Sequence, residues 1–178
     1  MRLGIEGRGL VVLPGFLSRD EAARLELATT CRSFERTYGS IESAKFDVSN
    51  LEPGDELHDF FQSELLVSTV RAALSLPESA PLQRLWGWIS RYKVGEYLPA
   101  HKDPGGSANL LISLHHPPPE NGGTLLVEDE SGQHPVILET GDAVLFLATK
   151  LMHSSQVLVP TRGRPEPLKL VAVGRYYF

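Results

Sequence analysis

A histidine and an aspartate stand two residues apart in LPAHKDPG, residues 98–105. On an extended strand His101 and Asp103 project from the same face with their Cα atoms ~6.6 Å apart, so both side chains can reach one metal ion. Pro104 and the two glycines that follow it end such a strand at once. We therefore expect the pair at an open rim, where a ligand can enter.

A third metal ligand must come from a distant strand, and His153 is the candidate. It follows the apolar run AVLFLA and opens the segment HSSQVLV. Two neutral imidazoles and one carboxylate leave coordination positions free, an arrangement that suits Fe(II) oxygenase chemistry. The remaining histidines are interpreted as surface or core residues: His58, His115, His116 and His134.

A lysine stands inside an apolar strand near the end of the chain. In PLKLVAVGRYYF, Lys169 and Arg175 share one face by parity, and the residues between them are apolar on both faces. A buried lysine costs free energy unless an anion meets it. The alternative is that Lys169 extends its ammonium group past the end of the strand to water. A dicarboxylate bound beside the metal would supply the missing negative charge.

The elements that must position these residues fall into two regions. To about residue 80 the sequence predicts helices in LSRDEAARLELATTC and DELHDFFQSELLVSTVRAALSL. The first has a capping-box pattern, with Ser18 followed three residues later by Glu21. Its apolar stripe consists of Leu17, Ala22, Leu25 and Leu27. The segment between the helices is predicted as a loop, 40–57, that can serve as a lid.

From residue 84 onward, short apolar runs alternate with Gly and Pro turns, which predicts a β-sandwich or jelly roll. The runs are LWGWISRY, ANLLISLH, GTLLVED, HPVILE, AVLFLA, SQVLV and PLKLVAVGRYYF, and VLPGF near the start is one further strand. We expect a single domain over 1–178, in which 84–178 forms the jelly-roll core.

Composition narrows the class of protein. The 178 residues are 42% hydrophobic and 22% charged, which is ordinary for a globular domain. A formal net charge of −5 argues against a nucleic-acid partner. Cys31 is the only cysteine, so no internal disulfide forms, and there is neither a signal-peptide pattern nor a membrane-spanning run. We expect a soluble cytoplasmic protein and make no prediction of its oligomeric state.

Taken together, these segments resemble the 2-oxoglutarate and Fe(II)-dependent dioxygenases, in particular the small prolyl-hydroxylase-like and AlkB-like members. The resemblance covers roughly residues 84–178 and rests on RYKVGEYLPAHKD, ENGGTLLVED, GDAVLFLATKLMHSSQVLVP and LKLVAVGRYYF. It implies a mainly β (α+β) fold: a double-stranded β-helix, which is a cupin-like jelly roll, braced by the N-terminal helices.

The resemblance also implies the site. His101, Asp103 and His153 would be the catalytic residues and would hold the iron. 2-Oxoglutarate would chelate this iron, with its far carboxylate at Lys169 and a hydrogen bond from Tyr92.

Two arginines are further candidates for the cosubstrate. Arg175 matches a second arginine that reaches 2-oxoglutarate in AlkB-like members. Arg164, in the loop TRGRPEP, competes with Lys169 for the far carboxylate. Lys169 is preferred because only it lies in an apolar strand.

The implied reaction uses O₂, decarboxylates 2-oxoglutarate to succinate and CO₂, and hydroxylates a substrate. Asp103 favours hydroxylation over halogenation, whereas desaturation and cyclisation stay open. We expect a small-molecule substrate, either a free amino acid or a natural-product intermediate, and a peptidyl proline is the main rival. Two other classes remain: a cupin-like metal protein without 2-oxoglutarate chemistry, and a domain that has lost catalysis. The aromatic residues Trp86, Trp88, Tyr97 and Phe146 are interpreted as core more than as pocket.

Overall fold

The computed structural model describes residues 9–37 and 46–178. Its helices are α1 (Arg19–Thr29), α2 (Glu56–Gln62) and α3 (Glu64–Ala73). Its strands are β1 (Leu10–Leu13), β2 (Glu35–Arg36), β3 (Asp47–Asn50), β4 (Arg84–Tyr92), β5 (Leu98–His101), β6 (Ala108–His115), β7 (Leu125–Asp129), β8 (Gly132–Val136), β9 (Ala143–Phe146), β10 (Met152–Ser155) and β11 (Lys169–Tyr177). Within this part of the chain, no helix is long and apolar enough to cross a bilayer.

The strands form two antiparallel sheets. The larger has seven strands in the order β1-β9-β6-β11-β4-β3-β2, and the smaller has four in the order β5-β10-β7-β8. Apolar residues of β7 and β8 pack against β9 of the large sheet, so the two sheets face each other. The predicted jelly roll, braced by N-terminal helices, is confirmed.

Strand β11 is central to the large sheet and pairs along its length with β4 and β6. Its alternate residues Leu170, Ala172 and Tyr176 pack in the main core cluster, together with apolar residues of the helices. The opposite face carries Lys169, Val171, Val173 and Arg175, which line a cavity between the sheets. Because side chains alternate along a strand, one strand separates the core from the cavity.

The helices cover the outer face of the large sheet. The capping box of α1 is confirmed: Ser18 accepts from the backbone N–H of Glu21, whose side chain accepts from the Ser18 backbone. The prediction that Leu27 belongs to the buried stripe is wrong, since this side chain is 69% exposed. It lies on the outer side of α1, where packing does not reach.

The predicted second helix is in fact two helices. Ser63 takes an extended conformation between them, with φ −56° and ψ 143°, and its side chain accepts from the N–H of Leu66. A residue that caps one helix ends the preceding one, because its backbone leaves helical geometry.

A glycine allows α2 to approach the sheet closely. Gly174 of β11 lies under Phe61, and a Cβ atom placed on it would be 2.6 Å from Cδ1 of that ring. The hydroxyl of Tyr176 donates to the carbonyl oxygen of Phe61 over 2.9 Å. The helix and the strand are thus in direct contact at this point.

The prediction of a loop over residues 40–57 is wrong from residue 47 onward. Residues 47–50 form β3, which pairs with β4, and α2 begins at residue 56. Asp47 is buried, and its carboxylate accepts from Arg91 over 2.9 Å and from Lys93 over 3.0 Å. Burial alone would raise the pKa of Asp47, but the hydrogen bonds from these cations lower it to about 2. Residues 40–45 of the predicted lid lie outside the described residues.

Three predicted strands are shifted. VLPGF is replaced by β1, which ends at Leu13. HPVILE is replaced by β8, which ends at Val136, and SQVLV is replaced by β10, which ends at Ser155. The N–H groups of Gln156 and Leu158 donate to the carbonyl oxygens of Thr124 and Glu96, which lie outside the strands. The chain leaves the sheet there because its donors are satisfied elsewhere.

Candidate metal centre

Three side chains meet at one point. Two of them lie on the neighbouring strands β5 and β10, and the third lies on the segment that follows β5. His101 ends β5 and is paired in register with His153 of β10, while Asp103 follows two residues on. The Nε2 atoms of His101 and His153 lie 3.7 and 3.9 Å from the carboxylate oxygens of Asp103. One ligand atom from each of the three residues lies within 4.8 Å of the others. This spacing fits a single metal ion.

Backbone carbonyl groups orient both imidazole rings. Nδ1 of His101 lies 2.9 Å from the carbonyl oxygen of Pro99, and Nδ1 of His153 lies 3.1 Å from that of Leu151. A proton on each Nδ1 satisfies these contacts and leaves Nε2 as a free lone pair. Both rings thus present the atom that binds a metal toward Asp103.

The carboxylate of Asp103 is held from behind by two side chains. Asn109 donates to Oδ2 over 2.5 Å, and the Nη2 group of Arg175 donates to Oδ1. Arg175 in turn donates through Nε to the side-chain oxygen of Asn109 over 3.0 Å. All three residues are buried, so the carboxylate orientation is fixed by partners that water does not screen.

Protonation states in the triad favour metal binding. Burial would raise the pKa of Asp103, but contact with His101 and the charge of Arg175 outweigh it, and the pKa lies below its usual value. Burial lowers the pKa of His153, and the nearby His101 lowers it further. A carboxylate and a neutral imidazole are the forms that bind metal ions.

A cavity of about 600 Å³ surrounds the triad. Its floor is the inner face of the large sheet, where every second residue of β4, β6 and β11 points inward. The inward residues are Trp86, Trp88, Ser90 and Tyr92 of β4; Asn109, Leu111 and Ser113 of β6; and Lys169, Val171, Val173 and Arg175 of β11. Thr37 and Phe46, which flank residues 38–45, also line it.

Lys169 points into one end of this cavity. Its ammonium group donates to the carbonyl oxygen of Gly123 over 2.6 Å and to Oγ of Ser155 over 2.8 Å, and it lies 4.9 Å from the ring centre of Tyr92. No carboxylate among the described residues pairs with it. Burial lowers the pKa of Lys169 to about 7. The ammonium group is therefore not extended to water, and it lacks a counter-charge.

Two further polar atoms in the cavity lack partners. Oγ of Ser113 and Nδ1 of His116 are buried and make no hydrogen bond within the described residues. Buried polar atoms in native proteins usually have a hydrogen-bond partner, so these two are available to a ligand in the cavity. Together with Lys169 they fit an anionic ligand with several oxygen acceptors, such as a dicarboxylate.

The predicted site residues do not all meet. Tyr92 and Lys169 line the cavity with the triad, and so does Arg175. Arg175 donates to Asp103 at the opposite end of β11 from Lys169, so the contact with 2-oxoglutarate stays a prediction. Arg164 lies in an exposed turn and lines a second cavity, so it is not brought to the triad.

Several residues of the site were missed at the level of sequence. Asn109, Ser113, Ser155 and His116 face the cavity. Parity would have found Ser155, because it is two residues after His153 on the same strand. His116 follows the last residue of β6, so no strand periodicity places it.

The tryptophans were also misassigned. Trp86 and Trp88 line the cavity, and Trp86 is 41% exposed. Phe146 is core, as expected: it is fully buried, with its ring centre 4.8 Å from that of His153. Tyr97 lies outside the cavity lining.

The other histidines stay outside the triad. His58 lies near Asp59, His115 contacts Glu26 over 3.0 Å and His134 contacts Asp129 over 3.0 Å. Each of these histidines contacts one carboxylate away from the triad, so their interpretation as ordinary surface or core residues agrees with the contacts.

Comparison with known proteins shows which solved structures share this fold. No family model matches the sequence. A prolyl-4-hydroxylase from Pseudomonas putida superposes with a TM-score of 0.78 at 18% identity, over 97% of this chain and 94% of its own. An oxidoreductase of the 2OG-Fe(II) oxygenase family from Burkholderia pseudomallei gives 0.76 at 13% identity, over 97% and 87%. HygX from Streptomyces hygroscopicus, with nickel, 2-oxoglutarate and hygromycin B bound, gives 0.76 at 14% identity, over 97% and 84%.

The chain thus has the double-stranded β-helix fold of the 2-oxoglutarate and Fe(II) oxygenases. Its own triad lies in the cavity between the two sheets.

Proposed function

We propose that the protein is an Fe(II)- and 2-oxoglutarate-dependent dioxygenase that hydroxylates a small molecule. The observation that carries the proposal is the coexistence, in one cavity, of a two-histidine, one-aspartate cluster and the uncompensated ammonium group of Lys169. The first is the donor set of non-haem iron oxygenases, which leaves positions open. The second is a buried cation, which an acidic ligand would stabilise by supplying the opposite charge.

The residues present fit the groups that this chemistry requires. His101, Asp103 and His153 would hold the iron, and Lys169 would bind the far carboxylate of 2-oxoglutarate. Iron with O₂ and 2-oxoglutarate supplies oxidative decarboxylation to succinate and CO₂, coupled to insertion of oxygen into a substrate C–H bond. The protein orients the ligands and limits the access of water.

The substrate is proposed to be a free amino acid or a natural-product intermediate. HygX, which binds the small molecule hygromycin B, shares the fold and supports this assignment. A peptidyl proline is the second candidate, and it is favoured by the likeness to a prolyl-4-hydroxylase. A cytoplasmic location belongs to the same proposal and rests on the single cysteine.

An anaerobic titration tests the proposal. Fe(II) and 2-oxoglutarate added together should produce a weak visible charge-transfer band that neither produces alone. The band should be absent in His101→Ala, because one of three metal ligands is lost. His134→Ala is the matched control, since His134 forms a surface pair with Asp129, and it should retain the band.

Failure of the band to form in folded wild-type protein contradicts the oxygenase assignment. The Lys169→Ala variant distinguishes the oxygenase from the cupin-like alternative. A metal protein without 2-oxoglutarate chemistry keeps its metal affinity and never responds to 2-oxoglutarate. An oxygenase variant keeps metal affinity but loses the response that wild type shows.

A further inference from the structure

The two tryptophans of the chain lie at the end of the cavity opposite Lys169. In the pairing of β11 with β4, Lys169 is opposite Tyr92 and Arg175 is opposite Trp86. Six residues of strand separate these pairs, or about 20 Å. The triad reaches both ends, since Asp103 contacts Arg175 and His153 shares β10 with Ser155, which binds Lys169.

The tryptophans present a fixed aromatic surface. Their ring centres are 5.2 Å apart, and the indole N–H of Trp88 donates to Oγ of Ser90 over 3.1 Å. The guanidinium of Arg175 lies 5.5 and 5.0 Å from the two ring centres, and that of Arg84 lies 5.8 Å from Trp86. Even with these neighbours, Trp86 is 41% exposed. A large aromatic side chain left open beside a reactive centre offers a stacking surface for a ring.

The charges around this surface determine whether an anionic or a cationic ligand is favoured. Among the described residues that line the cavity, Asp103 is the only carboxylate, and Arg175 compensates it. Lys102 lines the rim, is exposed, and makes no hydrogen bond or ion pair with another described residue. The charges of the described lining residues therefore favour an anionic ligand over a cationic one.

We propose that the substrate is an organic acid with a flat ring, which stacks on the surface formed by Trp86 and Trp88 while its anionic group pairs with Lys102. This inference rests on the proposed function, which assigns the Lys169 end to 2-oxoglutarate. It narrows the substrate class, because a peptidyl proline lacks the charge and a polycation has the wrong sign.

The two tryptophans provide a specific readout. In isotope-labelled protein the indole N–H signals come from this surface alone, since the chain has no other tryptophan. The protein is loaded with redox-inert Zn(II) and 2-oxoglutarate and titrated with 2-naphthoate, 2-naphthylmethylamine or a blocked Pro-Pro-Gly repeat peptide. We expect saturable shifts of the indole signals with 2-naphthoate, and binding of the amine at least about tenfold weaker.

Variants separate the ring contact from the charge. Trp86→Ala should weaken 2-naphthoate binding about tenfold, while Trp86→Phe, which keeps a flat ring, should stay within about threefold of wild type. Lys102→Gln should remove the preference for the acid over the amine. Lys150→Gln, an exposed lysine outside the cavity, is its matched control and should leave the preference intact.

Equal binding of acid and amine, unmoved indole signals, or tighter binding of the peptide than of 2-naphthoate overturns the inference. The Fe(II) and 2-oxoglutarate band is measured on the same preparations. A normal band without an indole response overturns this inference alone, whereas absence of the band overturns the proposed function.

Discussion

The ammonium group of Lys169 is surrounded by a carbonyl oxygen, a hydroxyl group and an aromatic ring. Burial lowers its pKa to about 7, so it is partly neutral near physiological pH when no ligand is bound. A carboxylate beside it would raise the pKa again, because an opposite charge favours the ammonium form. Ligand binding and protonation are therefore linked.

We predict that 2-oxoglutarate affinity depends on pH through Lys169. Below pH about 7 the lysine is protonated with or without ligand, so the apparent Kd is constant. Above it, binding must take up a proton, and the apparent Kd should rise by up to about tenfold per pH unit. The facing groups do not titrate there: burial lowers the pKa of His116 to about 4 and raises that of Tyr92.

Titration of the visible band from pH about 6 to 9 measures this dependence. Lys169→Met should bind 2-oxoglutarate weakly and with no such slope. A constant wild-type Kd over the whole range would show that the charge of Lys169 does not serve this ligand.

Under the proposed function, Arg175 would be a positioning residue for the metal, since it contacts the predicted ligand Asp103. Arg175→Met removes the donor to Oδ1 and the counter-charge of a buried carboxylate. Metal affinity should fall by about 10- to 100-fold, as expected for a partner of a metal ligand. Competition with a chelator gives the Kd.

Arg84→Met is the control for this substitution. Arg84 also lies over Trp86 but has no contact with Asp103, so its replacement should leave metal affinity within about twofold of wild type. Equal losses in the two variants would assign the effect to the aromatic surface instead.

At the scale of elements, α2 and β11 are joined where Phe61 covers Gly174. Gly174→Ala places a methyl group 2.6 Å from the ring, so the helix or the strand must shift. We expect the free energy of unfolding to fall by about 1–3 kcal/mol, the usual cost of overpacking a core. Urea denaturation measures it.

Gly163→Ala is the matched substitution, because a Cβ atom at this position meets no atom within 4 Å. It should change the free energy of unfolding by less than about 0.5 kcal/mol. The double variant Phe61→Leu with Gly174→Ala should recover part of the loss. If Gly174→Ala alone is as stable as wild type, the contact is looser than described.

The whole molecule shows which features the sequence could predict. The jelly roll was predictable because apolar runs and Gly or Pro turns record strands locally. The pairing of His101 with Asp103 followed from parity, whereas the assignment of His153 drew on strand context and a family resemblance. Parity also placed Lys169 and Arg175 on one face.

Other features depend on contacts between distant segments. The partner of Arg175 is Asp103, 72 residues away in sequence, and no local pattern records it. The break at Ser63 lies in a stretch whose apolar spacing is helical throughout. The spacing therefore predicts one continuous helix, although the side chain of Ser63 caps the second of two. Tertiary packing decides such cases.

The alternation along β11 divides its substitutions into two kinds. Even-numbered positions face the helices and odd-numbered positions face the cavity. Changes at Val171 or Val173 should therefore act first on the lining of the cavity, whereas changes at Leu170 or Ala172 should act first on the packing against the helices. Deleting one residue from this strand would exchange the two faces downstream of the deletion, so a change in its length would disturb both the core and the cavity.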